Sequence, residues 1–488
     1  MITKNEATML PDMLRSVAGL WDELIVADTG STDGTVDLLK THGAKIIDHV
    51  WTDDFAAARN TSIASATGDW VLFLDADERA TPELCQQIKT LMGDESIGAA
   101  TVVMRNALPG GEYREASLLR LFRNHAGVTF RHKIHEDVLQ DVEELLLRKN
   151  LRAQHLEGVV HHLGYVREVA SAKDKRQRDQ RLLRKVLRDD PRDFYCWFKL
   201  LESARYWQDT ELWRAAATQV DPILRGELSD GERKSLMNNH WSGELAALIS
   251  RGLPIGPEQA LIWLDQTKSR VRCSSAWHLQ RGLWSELLDR SSDAAEAFAS
   301  CLADKRGSAN HHHVRAHLGL SRLAAGAGNL TQASEWAMEA LKSAPRDVEA
   351  VLAVISFSPQ SLTSFVDSQV TAHPDSAQVW AEQLIGSGNI KLAQHLLNEM
   401  SVPQPHLAMG HLVCALASGD EFELEVELSA EDAEIAFRHW IRVLWRSRQV
   451  AAMSRFADEC YKVQELFPWL AEFLAAETEL LKNESSAP

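Results

Sequence analysis

As far as Tyr165 the chain alternates short apolar runs with helical patterns; beyond Arg167 the strand signal stops and helical periodicity alone continues. That switch rules out a single continuous core. Strands that alternate with helices fold around a mainly parallel sheet, whereas helices without strands can bury their apolar faces only on one another. At 488 residues the chain also exceeds what one ordinary core fills, so more than one domain is expected. The pattern divides it into an α/β region over 1–168 and an all-α, helical-repeat region over 169–488.

Within the first region, Leu24 to Ala27 reads as a strand, Asp28 to Asp33 as a polar turn, and the segment that follows as a helix. Asp33 is its expected N-cap, Val36, Leu38 and Leu39 its apolar positions, and Gly43 its stop. Lys45 to Val50 reads as the next strand, and Asp54-Phe55-Ala56 opens a second helix. Trp70 to Leu74 then reads as a buried strand, with Asp75-Ala76-Asp77 directly behind it. In open α/β sheets ligands sit beyond the carboxyl ends of strands. An Asp-x-Asp there can hold a hard divalent cation, which in turn holds a diphosphate. Asp28 leaves its strand on the same expected edge. Further strands are expected at Thr101–Asn106, Glu115–Arg123, Val128–His132 and Glu157–Tyr165, with a turn at Leu108 to Gly111 and closure of the domain at Gly164 and Tyr165.

Taken together, Asp28-Thr29-Gly30-Ser31-Thr32-Asp33, Phe55-Ala56-Ala57-Ala58-Arg59-Asn60, Thr67-Gly68-Asp69-Trp70, Leu74-Asp75-Ala76-Asp77-Glu78, Ile134-His135-Glu136 and His162-Leu163-Gly164-Tyr165 resemble a family-2 glycosyltransferase of the GT-A fold. The last two are similar to the branch that carries tetratricopeptide-like helices behind its catalytic domain, to which the sublancin-type S-glycosyltransferases belong. The resemblance spans roughly residues 1–195. It implies an inverting transferase that uses a nucleotide sugar, UDP-linked by expectation, and a divalent cation, Mn²⁺ or Mg²⁺. By the same resemblance Asp77 is the more direct metal ligand and Asp75 the partner of ribose or metal. Glu136 is the general base, with Asp137 and Glu78 as substitutes, and His135 binds metal or phosphate. The basic helix around Lys175-Arg176-Gln177-Arg178 also resembles that branch, but departs from it at Asp179.

Carboxylates accept from base N–H groups and ribose hydroxyls, so Glu6 and Asp28 are candidate nucleoside contacts. Arg59 is a candidate phosphate partner. His162 can complete a metal shell, since imidazole suits Mn²⁺. Each has a plainer reading: Asp28 as a strand-end cap, Arg59 as partner of Asp53 or Asp54, His135 and Glu136 as a buried pair that positions its loop, and His162 as a core histidine. Members of the resembled family begin with a strand before a segment like Thr3-Lys4-Asn5-Glu6, so the expectation is that the start of this chain is set too late.

In the helical region two segments fit a tetratricopeptide template of about 34 residues. One begins near Ser275, with Gly282, Ala294 and Phe298 in place; the other begins near Val314, with Ala333, Ala340 and Pro345. Weaker copies run through Asp193–Pro222 and Ser376–Met400, and the tail Asn483–Pro488 is expected to fray. His311-His312-His313 lacks a carboxylate or cysteine at metal spacing and carries no metal assignment.

A formal charge of −17 argues against nucleic acid as a main partner, since phosphate binding needs a basic face. The six cysteines are scattered without a Cys-x-x-Cys pair, no signal peptide is visible, and no apolar run reaches the roughly 18 residues of a membrane span. The expectation is a cytoplasmic protein whose repeat groove takes a peptide, protein or glycan acceptor, and a homodimer through the repeats is compatible with it. Two rivals stand beside it. In one the acceptor is a lipid-linked sugar and Lys173 to Arg188 faces an anionic membrane. In the other the chain is a non-catalytic repeat scaffold with a degenerate transferase domain.

Overall fold

The computed structural model describes residues 1–107, 113–163, 169–226, 228–239, 241–304, 310–357, 362–372, 376–399 and 405–418, together with 436, 439–440 and 443–444. The expected turn at Leu108 to Gly111, the closing Gly164 and Tyr165, the side chain of Lys175 and the tail lie outside these residues.

Two sheets form the N-terminal part. β1 (Ile2–Thr3), β2 (Ile25–Asp28) and β3 (Lys45–Asp48) make a parallel sheet, with Ile2 opposite Ala27 and Ala27 opposite Ile47. The second sheet has the order β4-β7-β6-β8-β5, from β4 (Trp70–Leu72), β5 (Glu78–Ala80), β6 (Ile97–Ala107), β7 (Tyr113–Arg123) and β8 (Arg152–His162). Only β6 and β8 run parallel in it; the other pairs are antiparallel. Helices α1 (Leu10–Ser16), α2 (Thr35–Thr41), α3 (Phe55–Ile63), α4 (Pro82–Met92) and α5 (Leu139–Lys149) connect and cover the strands. Leu10, Leu14, Val26, Leu39, Leu84 and Ile88 fill one core, and Phe73, Phe122, Phe130, Val142 and Leu145 a second. Each such side chain taken fully out of water contributes about 1.5–3 kcal/mol.

Several sequence expectations shift. The strand read over Trp70–Leu74 is regular only over Trp70–Leu72, which is half-buried; Phe73 keeps one bond to β7, its amide donating to the carbonyl of Arg120 at 3.1 Å, and Phe73 and Leu74 are buried in the core. Asp28 and the Asp75 turn therefore leave separate sheets rather than one edge. The strand expected at Val128–His132 is absent; Arg131 makes a lone bridge to Asp137 and the chain continues into α5, which the sequence reading missed. α2 begins at Thr35, behind Gly34, and the carboxylate of Asp33 accepts from the amide of Thr35 at 2.9 Å, the kind of bond expected of a capping side chain.

From Val169 onward all described elements are helices: α6 (Val169–Asp189), α7 (Phe194–Tyr206), α8 (Thr210–Arg225), α9 (Asp230–Asn238), α10 (Ser242–Gly252), α11 (Pro257–Thr267), α12 (Ser275–Leu287), α13 (Ser291–Ala303), α14 (Asn310–Gly326), α15 (Leu330–Ser343), α16 (Val348–Phe357), α17 (Leu362–Ala372), α18 (Ala377–Gly386), α19 (Ile390–Glu399) and α20 (Pro405–Ser418). Compactness divides the chain further along than the loss of strands does. One unit comprises Met1–Leu253 with Gln266–Arg272, and the other Pro254–Asp265 with Cys273–Pro488. Helices α6 to α10 thus pack with the sheets.

In the second unit, both template segments form helix pairs, α12 with α13 and α14 with α15. Phe298 is fully buried between Gly282 and Gly319, and a Cβ at either glycine would run into its ring. Ala294, Ala333 and Ala340 have no exposed surface. Small residues here let neighbouring helices close on one aromatic, as a repeat stack requires.

Candidate functional site

The Asp75-Ala76-Asp77 turn joins β4 to β5 and is closed by Glu78. The amide of Glu78 donates to the carbonyl of Asp75 at 3.1 Å, and the amide of Asp75 donates to Glu78 Oε2 at 2.9 Å. Glu78 is 2% exposed and takes Arg120 Nη2 at 2.6 Å, so it belongs to the scaffold of the turn and not to the acceptor side. Burial pushes its carboxyl above the usual range, with Arg120 opposing the shift.

Pairing of β5 with β8 sets Glu78 opposite His162 and brings His162 beside Asp77. His162 Nε2 lies 3.3 Å from Asp77 Oδ2, while its Nδ1 is 2.8 Å from Asn106 Oδ1. An imidazole nitrogen and a carboxylate oxygen thus face each other, and these are donor types that a divalent ion such as Mn²⁺ accepts. Among the described residues no group of three His, Cys, Asp or Glu surrounds a point where a cation could sit. A cation beside this pair would need further ligands, such as phosphates and water.

Asp75 takes no part in that pair. Its carboxylate accepts Arg59 Nη2 at 2.9 and 3.1 Å. Burial alone would raise its pKa, but Arg59 and Arg120 outweigh burial and hold it down at about 2. From the same guanidinium, Nε donates to Glu136 Oε1 at 2.6 Å. Arg59 is only 7% exposed, and its guanidinium lies 5.6 and 5.4 Å from the ring centres of Phe73 and Phe130. Despite burial, the two carboxylates keep its proton more firmly bound than usual. Its remaining Nη1 is buried without a hydrogen-bond partner, and Arg59 helps line a cavity of about 260 Å³ that also touches Met1, Trp70 and Phe130. Neither Asp53 nor Asp54 pairs with it: Asp53 takes Lys185 at 2.9 Å and Arg181 at 3.3 Å, and Asp54 caps α3 through the amide of Ala57.

Glu136 and His135 sit on a loop pinched by reciprocal bonds between Arg131 and Asp137, at 2.8 and 3.3 Å. Within it His132 has φ +67° and His135 φ +54°. Left-handed backbone at a residue other than glycine costs on the order of 1–3 kcal/mol and persists only where its surroundings enforce it. The carbonyl of Lys133 accepts from the amide of Phe55 at 2.8 Å, and Ile134 is buried. From α7, the Tyr195 hydroxyl donates to the carbonyl of His135 while its ring stacks on His132 at 3.7 Å between centres. Asp137, a substitute base in the sequence reading, instead receives the amide of Leu139 at the start of α5.

Asp28 ends β2, and Glu6 lies between β1 and α1. Asp28 is 5% exposed, and its oxygens accept from the amides of Gly30 and Ser31, the hydroxyl of Ser31 and the hydroxyl of Thr3. Those bonds make it the cap of its own turn and hold its pKa down against burial. The Glu6 carbonyl receives the amides of Met9 and Leu10 at 3.0 Å and its amide donates to Thr35 Oγ1, which ties it to the entry of α1. On the basic helix, Arg178 is bound to Asp179 at 2.9 Å and lies over Phe55. Sequence reading missed Asn106, Arg120 and Tyr195, each of which reaches the site from an element distant in the chain.

Residues 1–145 match the glycosyl transferase family 2 model, so the chain carries a domain of that family. It is 35% identical over 241 residues to a TPR repeat-containing protein of Synechococcus elongatus, across 47% of this chain and 58% of that protein. It is 29% identical over 195 residues to the SPbeta prophage-derived glycosyltransferase SunS of Bacillus subtilis, across 39% of this chain and 44% of that one. An uncharacterized glycosyltransferase of Rickettsia typhi is 37% identical over 95 residues, or 20% of this chain and 32% of that protein. The chain thus spans about half the length of the first two relatives. No helix among the described residues is long and apolar enough to cross a membrane.

Proposed function

We propose that the family-2 domain of this chain transfers a sugar, with inversion, from a UDP-linked donor to a nucleophile on a peptide, protein or glycan acceptor. The reading places it in the branch with tetratricopeptide-like helices behind the catalytic domain, working in the cytoplasm. Asp77 and His162 would hold a divalent cation, Mn²⁺ or Mg²⁺, which offsets the charge that develops on the departing diphosphate. Asp75 orients the donor from the Arg59 side. Arg59 fixes one oxygen of Glu136, and the other is assigned the proton of the attacking nucleophile.

One observation carries the reading: a single buried guanidinium ties a carboxylate of the Asp-x-Asp turn to a carboxylate of the His-Glu loop, 16 and 77 residues away in sequence. Inverting transfer needs a base on the acceptor side of the donor site, and the guanidinium sets the Glu136 carboxylate near that of Asp75. Glu136→Gln should lower transfer by roughly 10²–10⁴-fold while donor binding stays within about twofold. A variant as active as the wild type would remove Glu136 from the role. The scaffold reading has an observation of its own, since the acceptor atoms of Asp28 are occupied within its turn and those of Asp75 by Arg59. It requires that no nucleotide sugar bind.

A further inference from the structure

The side chain that enforces the shape of the His-Glu loop comes from the helices behind the sheets. Tyr195, near the start of α7, is 3% exposed and meets both left-handed residues of the loop at once. Its hydroxyl donates to the carbonyl of His135, the residue directly before Glu136, and its ring lies on the imidazole of His132 with planes 20° apart. Trp241, just ahead of α10, packs edge-on against Tyr195 at 4.8 Å, and the ammonium of Lys199 lies 5.7 Å from the centre of the Tyr195 ring. Burial keeps the phenol protonated, and hence a donor, across the working pH range.

Here the backbone geometry and the contacts point the same way. A left-handed histidine reverts to ordinary backbone unless something outside the loop holds it. Reversion at His135 would rotate the next peptide and carry the Glu136 carboxylate off Arg59. The Arg131–Asp137 pinch closes the neck of the loop, and the bond from Phe55 holds Lys133, but neither restrains the His135 carbonyl.

We infer that Tyr195 is a positioning residue for the transfer reaction: from the helical region it locks the His135 peptide so that Glu136 is aimed at its working place beside Arg59. The inference rests on the reading of Glu136 as general base. It also gives α7 and α10 a task in the chemistry, in addition to any role in acceptor binding.

The test is a double-mutant cycle in the full chain with Tyr195→Phe and Glu136→Gln, paired with hydrogen exchange at the amides of residues 132–136. Phenylalanine keeps the stack and the packing and removes only the donor; an unchanged melting temperature checks the fold. The expected result is a kcat lowered roughly ten- to a hundredfold, with the donor KM unchanged. In the Glu136→Gln background the same substitution should change kcat by less than about twofold, because the residue acts through Glu136. Exchange at 132–136 should quicken in Tyr195→Phe, and less so in His132→Ala, which retains the hydroxyl. Unchanged exchange, or a loss of kcat that persists in the Glu136→Gln background, would overturn the inference. If the wild type transfers no sugar, the functional reading fails by itself, and the exchange comparison still decides whether Tyr195 holds the loop.

Discussion

The Phe298 layer and the Arg59 centre solve the same problem, ordering a buried point, by opposite means. Phe298 is held by shape: two glycines and a ring in neighbouring helices, an arrangement that a repeat template anticipates. Arg59 is held by charge, between carboxylates supplied by a strand-end turn and a strained loop. A shape-based layer tolerates repetition and stacks. A charge-based centre is costly to desolvate and is worth keeping only where its geometry is put to use.

The contrast can be broken at either end. Phe298→Ala should cost about 3–5 kcal/mol and lower the melting temperature of the second unit without touching nucleotide binding, because it empties a packed site. Arg59→Met should cost a comparable 3–5 kcal/mol, since it strands the partly buried Asp75 and Glu136 carboxylates, and it should remove transfer as well. Calorimetry with a parallel transfer assay separates the two; equal loss of activity in both variants would erase the distinction. A milder probe is Gly282→Ala, expected to cost about 1–3 kcal/mol by overpacking on Phe298. The double variant with Phe298→Leu should recover part of that cost if shape is what the layer encodes.

The smallest expected effect is one of pH. His132 is neutral by burial, its pKa held below the ordinary range, with Asp137 and Asp193 opposing and Arg131 and Lys199 assisting. A folded-state pKa below the unfolded one gives stability that is complete above the usual histidine pKa of about 6.5 and is lost as pH falls through the folded value. Exchange at residues 132–136 should therefore quicken on acidification.

The same contrast explains what could be read from sequence. Gly282, Ala294 and Phe298 declare their packing because small and large residues recur at template spacing, and both helix pairs lie where that spacing puts them. Asp54-Phe55-Ala56 opens α3 as expected, and Asp54 caps it through the amide of Ala57. Strand ends were less legible. The apolar run Trp70–Leu74 does not reveal that regular pairing stops at Leu72, with a last bond from the amide of Phe73, since apolar character reports burial and not pairing. The site was legible as residue types and opaque as contacts. Asp75 and Asp77 stand out by their place behind a strand, and His135, Glu136 and His162 by the family resemblance, but the partner of Arg59 could not be guessed from its neighbours Asp53 and Asp54, because its carboxylates arrive from two other loops. Tyr195 gave no signal at all; one tyrosine on an amphipathic helix looks like core until the loop it touches is seen.

The most direct test of the central claim is a calorimetric titration of UDP, GDP and CMP sugars into the full chain, with and without Mn²⁺, for the wild type and Asp77→Ala. The account predicts that a UDP sugar binds only when the cation is present and that Asp77→Ala abolishes this binding while leaving the melting temperature in place. Binding of no nucleotide sugar under any condition, or binding indifferent to both cation and Asp77, would contradict it.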